Sequence, residues 1–199
     1  MRQDVLYALI LFCFVSGVTP GPNNVMLMSS GVNFGFRRTL PHLLGVVLGF
    51  ALMVALIGLG LDAIFARVPQ LLPIMRWAGA AYMLWLAWRI ANSGPVRDGD
   101  ARGRPLGFFG AAAFQWINPK AWAIAISALT AYAVSDDYAI SVAAVALAYL
   151  SIGMPSSGAW VLFGAAMRKA LSDPHRVRPF NLTMAALLVA SIVPVLTES

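Results

Sequence analysis

Proline residues interrupt two long apolar stretches of this chain, about half its length apart. The first interruption runs from Thr19 to Asn24 and contains Pro20 and Pro22, and the second contains Pro119. A proline inside a helix leaves backbone groups without their usual partners. Lipid cannot satisfy such groups, so helix breaks at membrane depth persist only where protein or a polar cavity surrounds them. The pattern therefore predicts broken helices around a polar site.

The composition places the chain in a membrane. Hydrophobic residues make up 60% of its 199 residues and charged residues 11%, whereas an ordinary soluble domain is roughly 25% charged. The length suits a single transmembrane domain over 1–199. The net charge of +6 comes from residues that flank apolar segments, so it indicates membrane topology rather than nucleic-acid binding. Cys13, the single cysteine, is expected to be a buried apolar residue.

Six apolar segments follow one another along the chain. They cover about 5–33, 40–61, 69–91, 106–134, 139–167 and 180–196. The first, fourth and fifth exceed the ~20 residues that a straight crossing needs. Each of these three contains a break, at Pro20 and Pro22, at Pro119, and at Pro155. We therefore expect an all-α polytopic membrane protein with six transmembrane helices, in which helices 1, 4 and 5 are broken near the midplane.

Basic residues divide unequally between the two sides of such a bundle. Ten of them lie where segments one, three and five end, and two lie on the other side. The ten are Arg37, Arg38, Arg89, Arg97, Arg102, Arg104, Arg168, Lys169, Arg176 and Arg178; the two are Arg2 and Arg67. By the positive-inside rule the side with ten faces the cytoplasm, so both termini are predicted to face outward.

A linker rich in Gly, Pro, Asp and Arg, at 92–105, divides the chain into two halves of three segments, about 1–91 and 106–199. Three crossings are an odd number, so the second half must enter the membrane in the opposite orientation. This predicts a 3+3 inverted repeat. Breaks at corresponding places in two such halves are typical of a transporter's binding site.

Counting from the segment ends puts the three breaks at similar depth, where they could form one site. A helix start exposes N–H groups that attract a carboxylate, and a helix end exposes carbonyls that attract an ammonium group. The N–H groups around Asn24 to Met26 could therefore face the anionic end of a zwitterion. The candidate binding residues are Pro20, Gly21, Pro22, Asn23, Asn24, Asn118, Pro119, Lys120, Pro155 and Ser156.

Lys120 is the most conspicuous of these residues. A charge near mid-membrane costs at least about 2.5–3.5 kcal/mol, and no acidic residue of the apolar segments is placed to pair with it. One hypothesis is that Lys120 binds a substrate carboxylate; the alternative is that it snorkels or caps carbonyls. Asn23, Asn24 and Asn118 could likewise cap the breaks, bind a ligand, or do both. Arg76 lies near the outer end of its segment and is expected to snorkel.

Other kinds of chemistry lack the residues they need. No Asp or Glu lies deep in a segment, so the sequence leaves proton coupling open. Cys13 and His42 alone do not make a metal site; we expect His42 at the membrane interface rather than in a proton relay. No nucleophile–base pair or phosphate loop is present. We therefore expect no catalytic residues, no bound metal and no cofactor.

Several motifs, taken in order, carry a family likeness. They are Thr19 to Asn24, Ser29-Ser30, Gly35 to Arg37, Gly45 with Gly49, Trp77 to Trp88, and Asn118 to Lys120. Together they resemble the LysE/RhtB family of bacterial amino-acid exporters. The resemblance implies a six-helix protein of the bacterial inner membrane that moves amino acids out of the cytoplasm, with both termini periplasmic by the charge rule. It also allows a homodimer.

Many members of that family have Asp directly after Pro-Gly-Pro, where this chain has Asn23. In this respect the chain looks most like the cysteine/O-acetylserine-exporting branch. One buried cation without a buried anion also fits a neutral amino acid better than lysine or arginine. We expect an exporter of small neutral amino acids or derivatives, cysteine/O-acetylserine-like or homoserine/threonine-like, that works by alternating access. The alternatives are a divalent-metal exporter of the same superfamily and a non-transporting membrane scaffold or enzyme.

Overall fold

The computed structural model describes residues 3–61, 70–92, 105–133, 137–168 and 170–191. Within these ranges the regular structure is entirely helical, as predicted. The helices are α1 (Gln3–Val18), α2 (Pro22–Leu56), α3 (Leu71–Ala91), α4 (Phe108–Ile117), α5 (Pro119–Tyr132), α6 (Tyr138–Met167) and α7 (Pro174–Ala190). A π-helical turn at Ile57–Leu61 extends α2, and a 3-10 turn at Ala170–Ser172 precedes α7.

Helix α2 is a hairpin that turns at Gly35. The φ of Gly35 is 75°, a backbone region that is open to glycine and strained for other residues. The hydroxyl oxygens of Ser30 and Thr39 lie 2.9 Å apart, whereas nine residues of straight helix would separate them by about 13.5 Å. The two arms, 22–34 and 36–56, correspond to the end of the first apolar segment and to the second.

Helix α6 contacts both arms of this hairpin. Gly17 at the end of α1 lies against Ser156, and Gly31 of the first arm lies against Val161, so α1 and the first arm run in the same direction as α6. Along the second arm, Leu43 lies near Gly158 and Val47 near Gly153, so the arm and α6 run in opposite directions. These are the relative directions that the six-segment prediction requires of segments one, two and five.

Close approach through glycine joins the second arm of α2 to α4. A Cβ on Gly45 would collide with the carbonyl oxygen of Phe108, and one on Gly49 would lie 2.6 Å from the Cα of Ala112. The two contacts follow the same order along both helices, Gly45 with Phe108 and then Gly49 with Ala112, so the second arm and α4 are parallel. Gly45 and Gly49, which are four residues apart, form a small-xxx-small step that here serves packing inside the bundle.

The buried core has two main clusters that meet around the hairpin. One joins α1, the second arm of α2, α5 and α6, and includes Leu9, Met53, Ala125 and Val145. The other joins the first arm of α2 to α3, α4 and α7, and includes Val25, Met83, Phe114 and Leu188. The helix interruptions lie between these two clusters.

The predicted break in the fifth segment is wrong, because α6 runs through Pro155 without interruption. The hydroxyl of Ser156 donates to the carbonyl oxygen of Ile152 at 2.8 Å. A neighbouring serine can thus supply a donor where proline has weakened the ladder, and the helix has no need to open.

Much of the outer surface is apolar. Along the second arm of α2, leucines recur every four residues and are exposed: Leu40, Leu44, Leu48, Leu52 and Leu56. Such a stripe is unfavourable in water and suits contact with lipid. Among the described residues, the helical stretches Pro22–Gly60 and Tyr138–Met167 are long and apolar enough to span a membrane.

Several predictions fall outside the described residues. They concern positions 93–104 of the linker 92–105, the ends at 1–2 and 192–199, the loop that contains Arg67, and the side chain of Arg76. The six-span topology and the inverted repeat therefore stay predictions.

Candidate functional site

The interruption between α1 and α2 meets the interruption between α4 and α5. From the first turn of α5, the ammonium of Lys120 donates to the carbonyl oxygens of Thr19 at 2.9 Å and Pro20 at 3.1 Å. From the start of α2, the amide of Asn23 donates to the side-chain oxygen of Gln115 at 2.8 Å. Two breaks that lie about a hundred residues apart in sequence thus form one polar place.

Lys120 caps the carbonyl end of α1. That end carries partial negative charge, so an ammonium beside it is favourable. An ammonium has three donors, and two of them are used here, which leaves one for the adjoining space. The aliphatic stem of Lys120 crosses directly over Gly21, where a Cβ would lie 2.7 Å from its Cδ. The capping contact is one of the two roles considered for this lysine; binding a carboxylate stays a proposal.

Asn24 and Thr19 cap the same end from the other side. The Asn24 amide donates to the carbonyl oxygens of Gly17 at 2.8 Å and Thr19 at 2.9 Å. The Thr19 hydroxyl donates to the carbonyl oxygen of Val15 at 2.7 Å. Asn24 is buried, so its side chain has the capping role that the sequence left open.

The start of α2 lacks a cap. Its N-cap residue is Gly21, which offers no side chain, and Pro22 has no N–H. The first helical hydrogen bond runs from the N–H of Val25 to the carbonyl of Gly21 at 2.9 Å. The N–H groups of Asn23 and Asn24 therefore have no acceptor within the helix. They form the positive end of α2, slightly earlier in the chain than the region around Asn24 to Met26.

The start of α5 is capped. The side-chain oxygen of Asn118 accepts the backbone N–H of Lys120 at 3.2 Å, and Asn118 itself is buried. The free N–H groups near the two interruptions thus belong to α2, and this helix start is the better place for an anion.

Gln115 is a member of the site that the sequence analysis did not single out. Its amide donates to the side-chain oxygen of Asn23 at 3.2 Å and to the carbonyl oxygen of Ala111 at 2.9 Å. The residue is completely buried. A polar amide within the apolar segment 106–134, three residues before Asn118, was the available signal.

A cavity with about 590 Å³ of empty space, counting its open mouth, adjoins the two interruptions. Its lining residues are Cys13, Ser16, Gly17, Gly21, Pro22, Asn23, Asn24, Val46, Val47, Phe50, Asn118, Lys120, Ala121, Ile124, Tyr149, Gly153 and Ser157. Six of the ten sequence candidates are among them. The other four, Pro20, Pro119, Pro155 and Ser156, are not.

The sequence analysis missed the part of the wall that lies away from the breaks. On α6, Tyr149, Gly153 and Ser157 are four residues apart, which puts them on one face toward the cavity. Phe50 and Ser16 complete this region from α2 and α1. As far as the described residues form it, the lining therefore combines one cation and several neutral polar groups with apolar walls, and it has no acidic side chain.

Metal ligands do not cluster in the described part of the chain. No group of three or more His, Cys, Asp or Glu residues there could hold an ion. His42 is buried in α2, and among the described residues neither of its ring nitrogens has a hydrogen-bond partner.

Comparison with known proteins gives a consistent result. Residues 14–196 match the family described as LysE type translocator. A protein of Salmonella typhimurium named cysteine/O-acetylserine efflux protein is 35% identical over 191 residues, which cover 95% of this chain and 96% of that protein. The protein of the same name from Escherichia coli strain K12 is 32% identical with the same coverage. No solved structure matches this chain.

Proposed function

Because this chain belongs to the LysE type translocator family, we propose that it exports small neutral amino acids or their derivatives from the cytoplasm across the inner membrane. Members of that family are transporters, so the protein is a membrane transporter and not an enzyme. The proposed substrates are of the cysteine and O-acetylserine kind, with homoserine and threonine as the next class. The proposed orientation has both termini in the periplasm.

The observation that carries the proposal is the pairing of opposite charge preferences around one cavity. The free N–H groups of Asn23 and Asn24 and the remaining donor of Lys120 suit a carboxylate. A carbonyl oxygen has two lone pairs, so the side-chain oxygen of Asn23, which lines the cavity, can accept a substrate ammonium. The amide of Asn118 adds a further acceptor on the α5 side.

The charge of the lining supports a neutral substrate. Among the described residues, Lys120 is the one charged residue of the lining, and no carboxylate there balances a second positive group. An unpaired cation in a place of low dielectric is strongly unfavourable. We therefore expect lysine and arginine to be poor substrates, whereas a zwitterion brings its own balancing charge.

Alternating access would come from rocking one half of the chain against the other. Thr19, Pro20 and Asn23 belong to the first half, and Gln115 and Lys120 to the second. The hydrogen bonds between these residues cross from one half to the other. In this mechanism the substrate exchanges some of these bonds for its own as the halves move.

The test is efflux from proteoliposomes loaded with a panel of labelled amino acids, with and without a proton gradient. We expect efflux of cysteine and O-acetylserine, and little of lysine or arginine. Lys120→Met should slow efflux at least about tenfold, because it removes a charged donor to the carboxylate. Arg178→Met is the matched control: it also removes one positive charge, at an exposed position outside the cavity.

The amount of each variant in the membrane must be measured alongside, since Lys120 also caps α1. Normal efflux by an inserted Lys120→Met protein would refute the role of the lysine. Efflux of divalent metal ions without any efflux of amino acids would refute the proposed substrate class and favour the metal-exporter alternative.

A further inference from the structure

Tyr149 on α6 has a buried hydroxyl without a satisfactory partner. The residue is 5% exposed, and its ring packs edge-on against Phe50 with the ring centroids 4.9 Å apart. Among the described residues its hydroxyl oxygen meets no group with hydrogen-bond geometry. Buried hydroxyls nearly always find a partner, so one that lacks it in the wall of a substrate cavity points to a ligand.

The polar neighbours of this hydroxyl lie close to it without hydrogen-bond geometry. They are the side chains of Cys13 and Ser16 on α1, which together with Tyr149 we call the Tyr149 cluster. The Ser16 hydroxyl already donates to the carbonyl oxygen of Cys13 at 3.1 Å. A thiol is only a weak donor and acceptor. The Tyr149 cluster therefore retains hydrogen-bonding capacity that the protein does not use.

The Tyr149 cluster lies about one amino-acid side chain away from the helix interruptions. Ser156 of α6 contacts Gly17, next to the end of α1. Tyr149 is seven residues before Ser156, which is about 10 Å of helix rise, and Cys13 is four residues before Gly17, which is about 6 Å. A small amino acid held at the interruption by its charged groups would extend its side chain over this interval.

We propose that the hydroxyl of Tyr149 binds the polar side-chain group of the exported amino acid and thereby sets the selectivity of the carrier. The inference rests on the proposed function. A phenol both donates and accepts, so it can accept from a thiol or hydroxyl and donate to the carbonyl of an ester. A site with a buried polar group rejects the analogue that lacks the matching group, because its own group is then left unpaired. The carrier therefore favours thiol, hydroxyl and ester side chains over hydrocarbon side chains of equal size.

The test compares cysteine with 2-aminobutyrate, which has a methyl group in place of the thiol. Efflux of both is measured from the same proteoliposomes, for the wild-type protein and for Tyr149→Phe, which keeps the ring and its contact with Phe50. We expect the preference for cysteine to fall about 3- to 10-fold in Tyr149→Phe, the range for one lost hydrogen bond. Efflux of 2-aminobutyrate per inserted molecule should rise, because Tyr149→Phe leaves no buried hydroxyl unpaired beside its methyl group.

Tyr132→Phe is the matched control. Its hydroxyl donates to the carbonyl oxygen of Ala8 at 3.4 Å and does not line the cavity, so its loss should leave the preference unchanged. Both substrates are measured on one preparation, so differences in protein amount cancel in the ratio.

Three results would overturn the inference, and they can be told apart from failure of the proposed function. One is an unchanged preference in Tyr149→Phe. Another is an equal fall in Tyr132→Phe, and a third is loss of Tyr149→Phe from the membrane, which would make the hydroxyl structural. If the wild-type protein moves no amino acid at all, the proposed function itself fails.

Discussion

Lys120 shows how much of a site residue's role its own position reveals. The sequence predicted a lysine at membrane depth with no acidic partner, and the structure describes it in the first turn of α5, partly buried. Its partners are the main-chain carbonyls of Thr19 and Pro20. Every residue has a carbonyl, so no side-chain pattern could have indicated which two would face the lysine. The capping contact follows from the meeting of two breaks, which is a tertiary event.

Gln115 and Asn23 form a reciprocal amide pair, and removing one member should be worse than removing both. In Gln115→Leu the half-buried amide of Asn23 loses its partner, which costs about 1 kcal/mol, the lower end of the range for a buried group. We expect a lower melting temperature for the purified protein in detergent. In the double variant Asn23→Leu/Gln115→Leu both polar groups are gone, so much of the stability should return.

The melting temperatures of the single and double variants decide whether the two amides only satisfy each other. A double variant that is less stable than Gln115→Leu alone would show that the amides do more than satisfy each other. An unchanged melting temperature in Gln115→Leu would show that the pair contributes little to stability.

At the scale of the helices, sequence periodicity and proline positions predicted most elements but misjudged one proline. Pro119 and the pair Pro20 and Pro22 lie where helices end or begin, but Pro155 lies inside α6. The three cases differ in what surrounds the proline. Gly21 separates one pair, and Asn118 precedes Pro119 and caps the next helix, whereas Ser156 supplies an internal donor. Proline alone therefore does not decide whether a membrane helix breaks.

The turn of the α2 hairpin provides a test of backbone strain. Gly35 has a φ of 75°, and the nearest atom to an added Cβ would be a guanidinium nitrogen of Arg168 at 3.8 Å. Gly35→Ala would therefore cost stability through backbone conformation and not through collision, by about 1–3 kcal/mol. Thermal unfolding in detergent is the measurement.

Gly107→Ala is the matched control for this change. An added Cβ there would meet nothing within 4 Å, and the φ of Gly107 is −74°. We expect its stability to equal or slightly exceed that of the wild-type protein. If both variants unfold at the wild-type temperature, the turn at Gly35 is not held in the conformation described here.

At the scale of the whole molecule, composition and segment length were sufficient to predict an all-helical membrane protein. The meeting of the two interruptions followed from their matching depth in the two halves. The Tyr149 cluster could not be predicted, since Tyr149 and Phe50 resemble ordinary apolar packing residues in sequence. Their place in a cavity wall depends on how α6 faces α1 and the second arm of α2. Periodicity gives a face of a helix but not the partner of that face.

The predicted orientation can be tested with two exposed positions in a Cys13→Ala background. Asn92 follows α3 at the end that we predict to be cytoplasmic, and Tyr138 begins α6 at the end that we predict to be periplasmic. A thiol reagent that cannot cross the inner membrane should label Tyr138→Cys in cells with a permeable outer membrane. It should label Asn92→Cys only after lysis, because the positive-inside rule holds that end in the cytoplasm. The reverse pattern would refute the predicted orientation.

The unbroken course of α6 has a mechanical consequence. It touches α1 and both arms of the hairpin, and it carries one face of the cavity along its length. Although Pro155 weakens its hydrogen-bond ladder locally, the continuous α6 resists bending more than the chain around 19–21 and at Asn118, where the backbone lies outside any helix. Conformational change during transport would then hinge at these two interruptions. The side chains of α6 that line the cavity would keep their spacing while the segments on either side of it move.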